Sequence, residues 1–234
     1  SDIRKYKILS QQKYKNCKID TARSRTHFFL YIYAMNLFNQ SFQAIIKTVI
    51  DYSITLLCLT LLIPVILMLA ILIKVTGKGP VIYSQKRIGR FGKTFTIYKF
   101  RSMHFGTEDG IPLLSGKKDK RITAVGRFMR KHKFDEIPNF INVLKGEMSL
   151  VGPRPEQQFF IDQIVLKVPQ YKLLQNIKPG ITSWGQVKYG YASTVDEMIE
   201  RLEYDLFYVE NKSLWFDLKV AFYTIGIIFK GQGI

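Results

Sequence analysis

The sequence is poor in cysteine, histidine and acid. Two cysteines, Cys17 and Cys58, in 234 residues exclude a disulfide framework, and neither stands in metal-ligand spacing. Three scattered histidines, His27, His104 and His132, offer no zinc site. A reducing, cytosol-facing location is the default for such a chain. Acids number 18 against 35 lysines and arginines, a formal charge of +17. That imbalance suits a polyanionic partner: nucleic acid, an anionic membrane surface or phosphorylated substrates. Nucleic acid fits worst, because no nucleic-acid motif accompanies the charge. Repeats and low-complexity tracts are also absent.

What is present is one long apolar run. "YSITLLCLTLLIPVILMLAILI", residues 52–73, holds 22 residues without a charge, enough at about 1.5 Å each to cross a hydrocarbon core of about 30 Å. It lies too deep in the chain for a signal peptide. Pro64 sits near its middle, where a missing backbone donor predicts a kink. Both flanks are basic: Lys47 and the arm 1–26 before, and Lys74, Lys78, Lys86, Arg87 and Arg90 after. Positive flanks prefer the cytoplasmic side. A helix broken at Pro64 that dips in and returns satisfies both flanks; a straight crossing does not.

Beyond the run, "VIYSQKRIG" and "TFTIYKFRSM" read as a β-hairpin joined through Gly89 and Gly92. "RITAVGRFMRKH" and "DEIPNFINVLKGE" read as helices, "SLVGPRPE" as a rigid loop and "KPGITSWGQVKYGYAS" as turn-rich with a short strand. "TVDEMIERLEYDLFYVEN" is an amphipathic helix with Thr194 and Glu197 in capping-box spacing. "SLWFDLKVAFYTIGIIFK" suits a helix on a membrane surface or against a partner. The fold class expected is α+β and helix-rich: a monotopic membrane domain with a Pro-kinked re-entrant helix, a β-hairpin and surface amphipathic helices.

The chemistry centres on Asp135 and Glu136. Local pattern alone favours a helix cap, since Asp caps helices and Glu complements the helix dipole. The same position suits phosphate chemistry. An ionised Asp can attack phosphorus to form an acyl phosphate, and a neighbouring Glu can hold Mg²⁺, which takes one or two carboxylates plus phosphate oxygens and water. Arg154, stiffened between Pro153 and Pro155, is pre-organised for phosphate. Lys99 and Arg101 share a face if "YKFRSM" is a strand. Arg130 stands five residues before Asp135.

Together, "GPVIYSQKRIGRFGKTFTIYKFRSM", "RITAVGRFMRKHKFDEIPNFINVLKGEMSLVGPRPE" and "KPGITSWGQV" resemble the bacterial sugar transferases, the monotopic phosphoglycosyl transferases. The resemblance runs from about Lys47 onward and is closest to the catalytic domain of the larger members, which carry further N-terminal regions. It implies transfer of a sugar 1-phosphate from a UDP-sugar to undecaprenyl phosphate with release of UMP, as the first membrane step of polysaccharide or glycoconjugate synthesis. It implies Asp135 as nucleophile, Glu136 as Mg²⁺ ligand, Arg130 and Arg154 on phosphates, and Pro64 as the helix breaker. An arginine often follows "GQV" in the family; here Gly190 stands there, and Lys188 is the expected substitute. Implied partners are the UDP-sugar, undecaprenyl phosphate and membrane lipids, with no nucleic acid and the apolar closing helix offered to a homodimer. The expected location is the bacterial inner membrane, cytoplasmic face. The chain then divides into a basic arm and interfacial segment (1–46), a re-entrant helix (47–76) and a catalytic domain (77–234). The competing reading is a non-catalytic basic membrane-binding module, which accounts for the charge and the apolar run but not for the acidic pair with "GPRP".

Overall fold

A long helix, α1, runs from Phe42 to Val75 and leads into a small mixed body. The computed structural model describes residues 42–107, 114 and 119–233. The basic arm 1–26, the apolar segment 28–38 and most of the loop 105–119 lie outside the described residues. Contacts separate residues 1–47 from residues 48–234; everything below concerns the second unit.

Two strands follow α1, β1 (Ile82–Ile88) and β2 (Thr94–Phe100), paired antiparallel with Tyr83 opposite Lys99 and Arg87 opposite Phe95. This is the expected hairpin. Next come α2 (Ala124–Lys131), a 3₁₀ turn over Phe134–Glu136, and α3 (Asn139–Leu144). Strand β3 (Ser149–Val151) pairs in parallel with β4 (Gly180–Thr182), in register Ser149 to Gly180 and Val151 to Thr182. Between them lie α4 (Gln158–Lys167) and a 3₁₀ stretch, Pro169–Asn176. Helices α5 (Trp184–Lys188), α6 (Val195–Glu210) and α7 (Leu214–Lys230) complete the body.

Two expectations need correction. "SLVGPRPE" begins with a strand rather than being all loop, because Ser149–Val151 finds its partner only at Gly180–Thr182. "DEIPNFINVLKGE" is not one helix. Pro138 has no N–H to bond the Phe134 carbonyl, which instead takes Ile137 N at 3.3 Å and closes a 3₁₀ turn. Asp135 and Glu136 sit inside that turn rather than capping α3.

Buried side chains fix these pieces around the turn. Asn142 on α3 is fully buried. It accepts from Tyr98 N at 3.2 Å and donates to Thr96 O at 2.7 Å. That clamps α3 to the edge of β2. Phe95 and Ile97 on one face of β2 pack against Val143 and Met148. The apolar side of α6 (Met198, Leu202) packs with Phe160, Ile161 and Ile164 of α4. The α6 cap differs from a standard capping box: Thr194 accepts from Glu197 N, but the Glu197 carboxylate reaches Ser193 N at 2.6 Å, one residue further out.

Helix α1 is helical on both sides of Pro64, where the proline leaves the Thr60 carbonyl without a backbone N–H to accept. A single stripe of α1 faces the body. Asp51, Thr55, Leu69 and Ile73 are buried, whereas Leu56, Leu57, Leu61, Ile63, Leu67 and Ile71 are exposed. Leu69 and Ile73 pack with Phe100, Met129 and Ile137. Near the other end, Ser149 Oγ donates to Asp51 Oδ2 at 2.7 Å.

Candidate active site

The candidate site starts from a residue in an unusual backbone conformation. Lys133 closes α2 in the left-handed region, φ 56° and ψ 20°, which a side chain beyond glycine adopts only when its surroundings impose it. The chain there turns sharply into Phe134–Glu136. Asp135 and Glu136, 7% and 4% exposed, open on a cleft of about 470 Å³.

The cations expected near the acids divide in two. Lys99, at the end of β2, donates to Glu136 Oε1 at 2.7 Å, and Arg154 Nη1 donates to the same oxygen at 3.2 Å. Arg130 lines the cleft with its Nε held by Ser102 Oγ at 2.8 Å. Burial alone would raise the Glu136 carboxyl, but Lys99, Arg154 and Lys133 outweigh it and hold the group well below the usual carboxylate range. Asp135 moves the other way. Burial, with Glu136 beside it, pushes it above its ordinary value, against the pull of Lys99 and Arg130. Two adjacent carboxylates are thus set apart by their surroundings, as paired acids at reactive sites are.

One polar atom in this cluster stays unmatched. Glu136 Oε2 is buried and has no hydrogen-bond partner among the described residues. Its sister oxygen already carries two cations. No group of three or more His, Cys, Asp or Glu able to hold a metal occurs among the described residues. A hard cation held by one or two carboxylates and by substrate phosphates fits, with Glu136 Oε2 as the available oxygen.

A second carboxylate anchors Arg154 from behind. Glu156 accepts from Arg201 at 2.7 Å and Arg87 at 3.0 Å, with Arg154 Nε at 3.7 Å. Burial opposes its ionisation, yet Arg201, Arg87 and Arg154 lower its pKa. Over Arg154 lies the Tyr191 ring, 5.4 Å from the guanidinium carbon and 5.8 Å from Lys133 Nζ, distances typical of cation–π contact.

The family description "bacterial sugar transferase" matches residues 42–231. This chain belongs to that family. Among curated relatives of this bacterial sugar transferase is the UDP-N-acetylgalactosamine-undecaprenyl-phosphate N-acetylgalactosaminephosphotransferase of Aeromonas hydrophila, 42% identical over 190 residues, covering 81% of this chain and 45% of that protein. The UDP-glucose:undecaprenyl-phosphate glucose-1-phosphate transferase of Escherichia coli (strain K12) is 40% identical over 189 residues, 80% of this chain and 40% of the relative. A protein of the same description from Caulobacter vibrioides is 38% identical over 182 residues, 76% of this chain and 68% of the relative. The chain therefore spans less than half the length of the first two.

Within this sugar transferase the expected site residues do not all gather. Asp135, Glu136, Lys99, Arg130 and Arg154 line one cleft. Arg101 also borders it, but its guanidinium is occupied. It donates to Ile73 O, Gly77 O and Lys78 O at 2.8, 2.9 and 2.6 Å, capping α1 rather than awaiting a phosphate. Lys188 lies apart from this cluster. Its ammonium lies 4.9 Å from the ring centres of both Trp184 and Tyr223, and it is not among the residues lining the cleft. Tyr191, Glu156, Arg87 and Arg201 were missed. Tyr191 carries no sequence signal beyond an aromatic beside a glycine. Glu156 stood in plain view in "GPRPE", but its three arginine partners come from β1, the loop before α4, and α6.

Proposed function

We propose that the protein is a phosphoglycosyl transferase that moves a sugar 1-phosphate from a UDP-sugar to undecaprenyl phosphate through an aspartyl intermediate. The observation that carries this is the cleft itself: a buried acid pair amid Lys99, Arg130, Lys133 and Arg154, on a body that packs against an exposed apolar helix. Asp135 attacks the β-phosphorus, the bond to the bridging oxygen breaks, and its electron pair leaves with UMP. A phosphate oxygen of the lipid then attacks the same phosphorus and Asp135 departs as carboxylate. Arg130 and Arg154 neutralise the charge that builds on the phosphoryl oxygens, and Lys99 holds Glu136 in register. Mg²⁺ would be held by Glu136 Oε2 and substrate phosphates, and would neutralise the negative charge that builds on the departing UMP phosphate. The names of the relatives, each an undecaprenyl-phosphate sugar phosphotransferase, support the donor and acceptor classes.

The test is UMP release from a panel of UDP-sugars with Mg²⁺, first without and then with undecaprenyl phosphate. A two-step displacement predicts a stoichiometric burst of UMP without acceptor and turnover with it. No release with any UDP-sugar favours the membrane-binding module instead.

The contacts of α1 support the membrane reading. Residues 51 and 73 are about 33 Å apart along a helix, yet both ends of that stretch touch the same body, through Ser149 to Asp51 and Arg101 to Ile73 O. A straight crossing would put these ends at opposite faces of the bilayer. A monotopic, re-entrant insertion from the cytoplasmic face of the bacterial inner membrane, bent at Pro64, keeps both ends with the body and the bare leucines in lipid. Cysteines introduced at Lys47 and Lys78 are expected to stay unlabelled by an impermeant maleimide in intact cells. Labelling at either from outside would overturn the topology.

A further inference from the structure

The glycines that follow α7 have no place in the chemistry above, yet they touch the segment that carries it. Helix α7 ends with Gly231 in the left-handed region, φ 61° and ψ 43°, and Gln232 N bonds back to Ile227 O at 3.0 Å, closing the helix in the manner of a Schellman turn. The next residue leaves α7 altogether. Gly233 N donates to Lys131 O at 2.9 Å. One step along, His132 Nδ1 lies 2.8 Å from Ile228 O. A carbonyl can only accept, so Nδ1 carries the proton. Two bonds therefore join the end of α7 to the end of α2: Lys131 O, a terminal carbonyl of α2, takes its donor from the tail, and Ile228 O, which also accepts from Gly231 N at 3.2 Å, takes a second donor from His132.

Their position in the chain matters. Lys131 and His132 lie between Arg130, which faces the cleft, and Lys133, whose left-handed backbone turns the chain toward Asp135. A strained non-glycine residue persists only where neighbours over-determine it. The contacts from α7 supply such determination immediately upstream. The approach is also tight: a Cβ on Gly233 would fall 2.2 Å from Arg130 O and 2.8 Å from Lys131 O. Only a glycine brings the tail this close to the backbone.

We infer that His132 and Gly233 are positioning residues, a brace by which the end of α7 holds the Arg130-to-Asp135 segment in its catalytic course. The brace rests on the function proposed above, so its test carries a readout that does not depend on it. Gly233→Ala and His132→Ala are expected to lower kcat for UMP release by about tenfold or more, since misplacement on the order of 1 Å costs about 10²-fold, with KM for the UDP-sugar within about twofold. His132→Asn, whose amide can donate to the same carbonyl, is expected to recover most of the rate. Gly226→Ala, on α7 with open space around it, is expected to match wild type. Hydrogen exchange supplies the independent arm: amides of residues 131–136 in Gly233→Ala should exchange at least about tenfold faster while α4 keeps its protection. Wild-type kcat in Gly233→Ala, or unchanged exchange over 131–136, overturns the brace. Faster exchange there with a wild type that releases no UMP upholds the brace and overturns the function.

Discussion

Asp135→Asn is expected to cut UMP release by about 1,000-fold or more, the scale seen when a covalent nucleophile is removed, while the protein stays folded. The two halves of that expectation have separate causes. Asn matches Asp in shape, so the cleft keeps its packing. It carries no negative charge, so no acyl phosphate can form. Removing the charge also relieves the repulsion that, with burial, pushes Asp135 above its ordinary pKa. Binding should persist, because Arg130 and Arg154 are untouched. Glu136→Gln should behave differently. It removes the negative charge that Lys99 and Arg154 share at Glu136 Oε1, leaving two buried cations on a neutral acceptor, so stability should fall together with rate. Single-turnover UMP release, alongside melting temperatures in detergent, separates the two variants. Equal UMP release by wild type and Asp135→Asn would move the nucleophile elsewhere.

Much of this arrangement was legible in the sequence where the signal is local. The hairpin announced itself through β-branched and aromatic runs broken by Gly89 and Gly92. The apolar run 52–73 announced α1 through hydropathy. The helix begins at Phe42, five residues before the expected start at 47, an onset hidden because the polar residues of that first turn carry no hydropathy signal. Asp51 is tolerated in α1 because Ser149, 98 residues away, donates to it. The acid pair and Arg154 were legible as chemistry, but the backbone beneath them was not. A helix N-terminus was the natural reading of "DEIPNF", and the 3₁₀ turn follows from one missing N–H at Pro138.

What the sequence hid is what only tertiary contact creates. Lys188 was read as a substitute for the expected arginine because it stands near that position. The helical turn of α5 instead swings it onto Trp184 and Tyr223, where an ammonium over two aromatic faces is well satisfied. Arg101 looked like a cleft residue because it follows Lys99 at i+2. Three carbonyls, one in the last turn of α1 (Ile73) and two just beyond it (Gly77, Lys78), hold it instead. In both cases the residue type was read correctly as a cation seeking acceptors, and the fold supplied nearer ones.

Glu156→Ala tests the opposite kind of dependence, in which stability falls first. Three arginines, Arg87, Arg154 and Arg201, converge on this one carboxylate, and the Glu156 and Arg201 side chains are only 6% and 7% exposed. Removing one member of a buried ion pair strands its partners in a poor solvent, at a cost of roughly 3–5 kcal/mol. For a domain of this size that corresponds to a fall in melting temperature on the order of 10 °C. Pairing Glu156→Ala with Arg201→Met should recover part of the loss, because one stranded charge goes with it. Below the melting transition the variant should still form the aspartyl intermediate, since Asp135, Glu136 and Lys99 are intact. Its KM for the UDP-sugar should rise, because Arg154 loses the carboxylate behind it. An unchanged melting temperature would mean that water already reaches these guanidinium groups. An unchanged KM would mean that Glu136 and the Tyr191 ring suffice to aim Arg154.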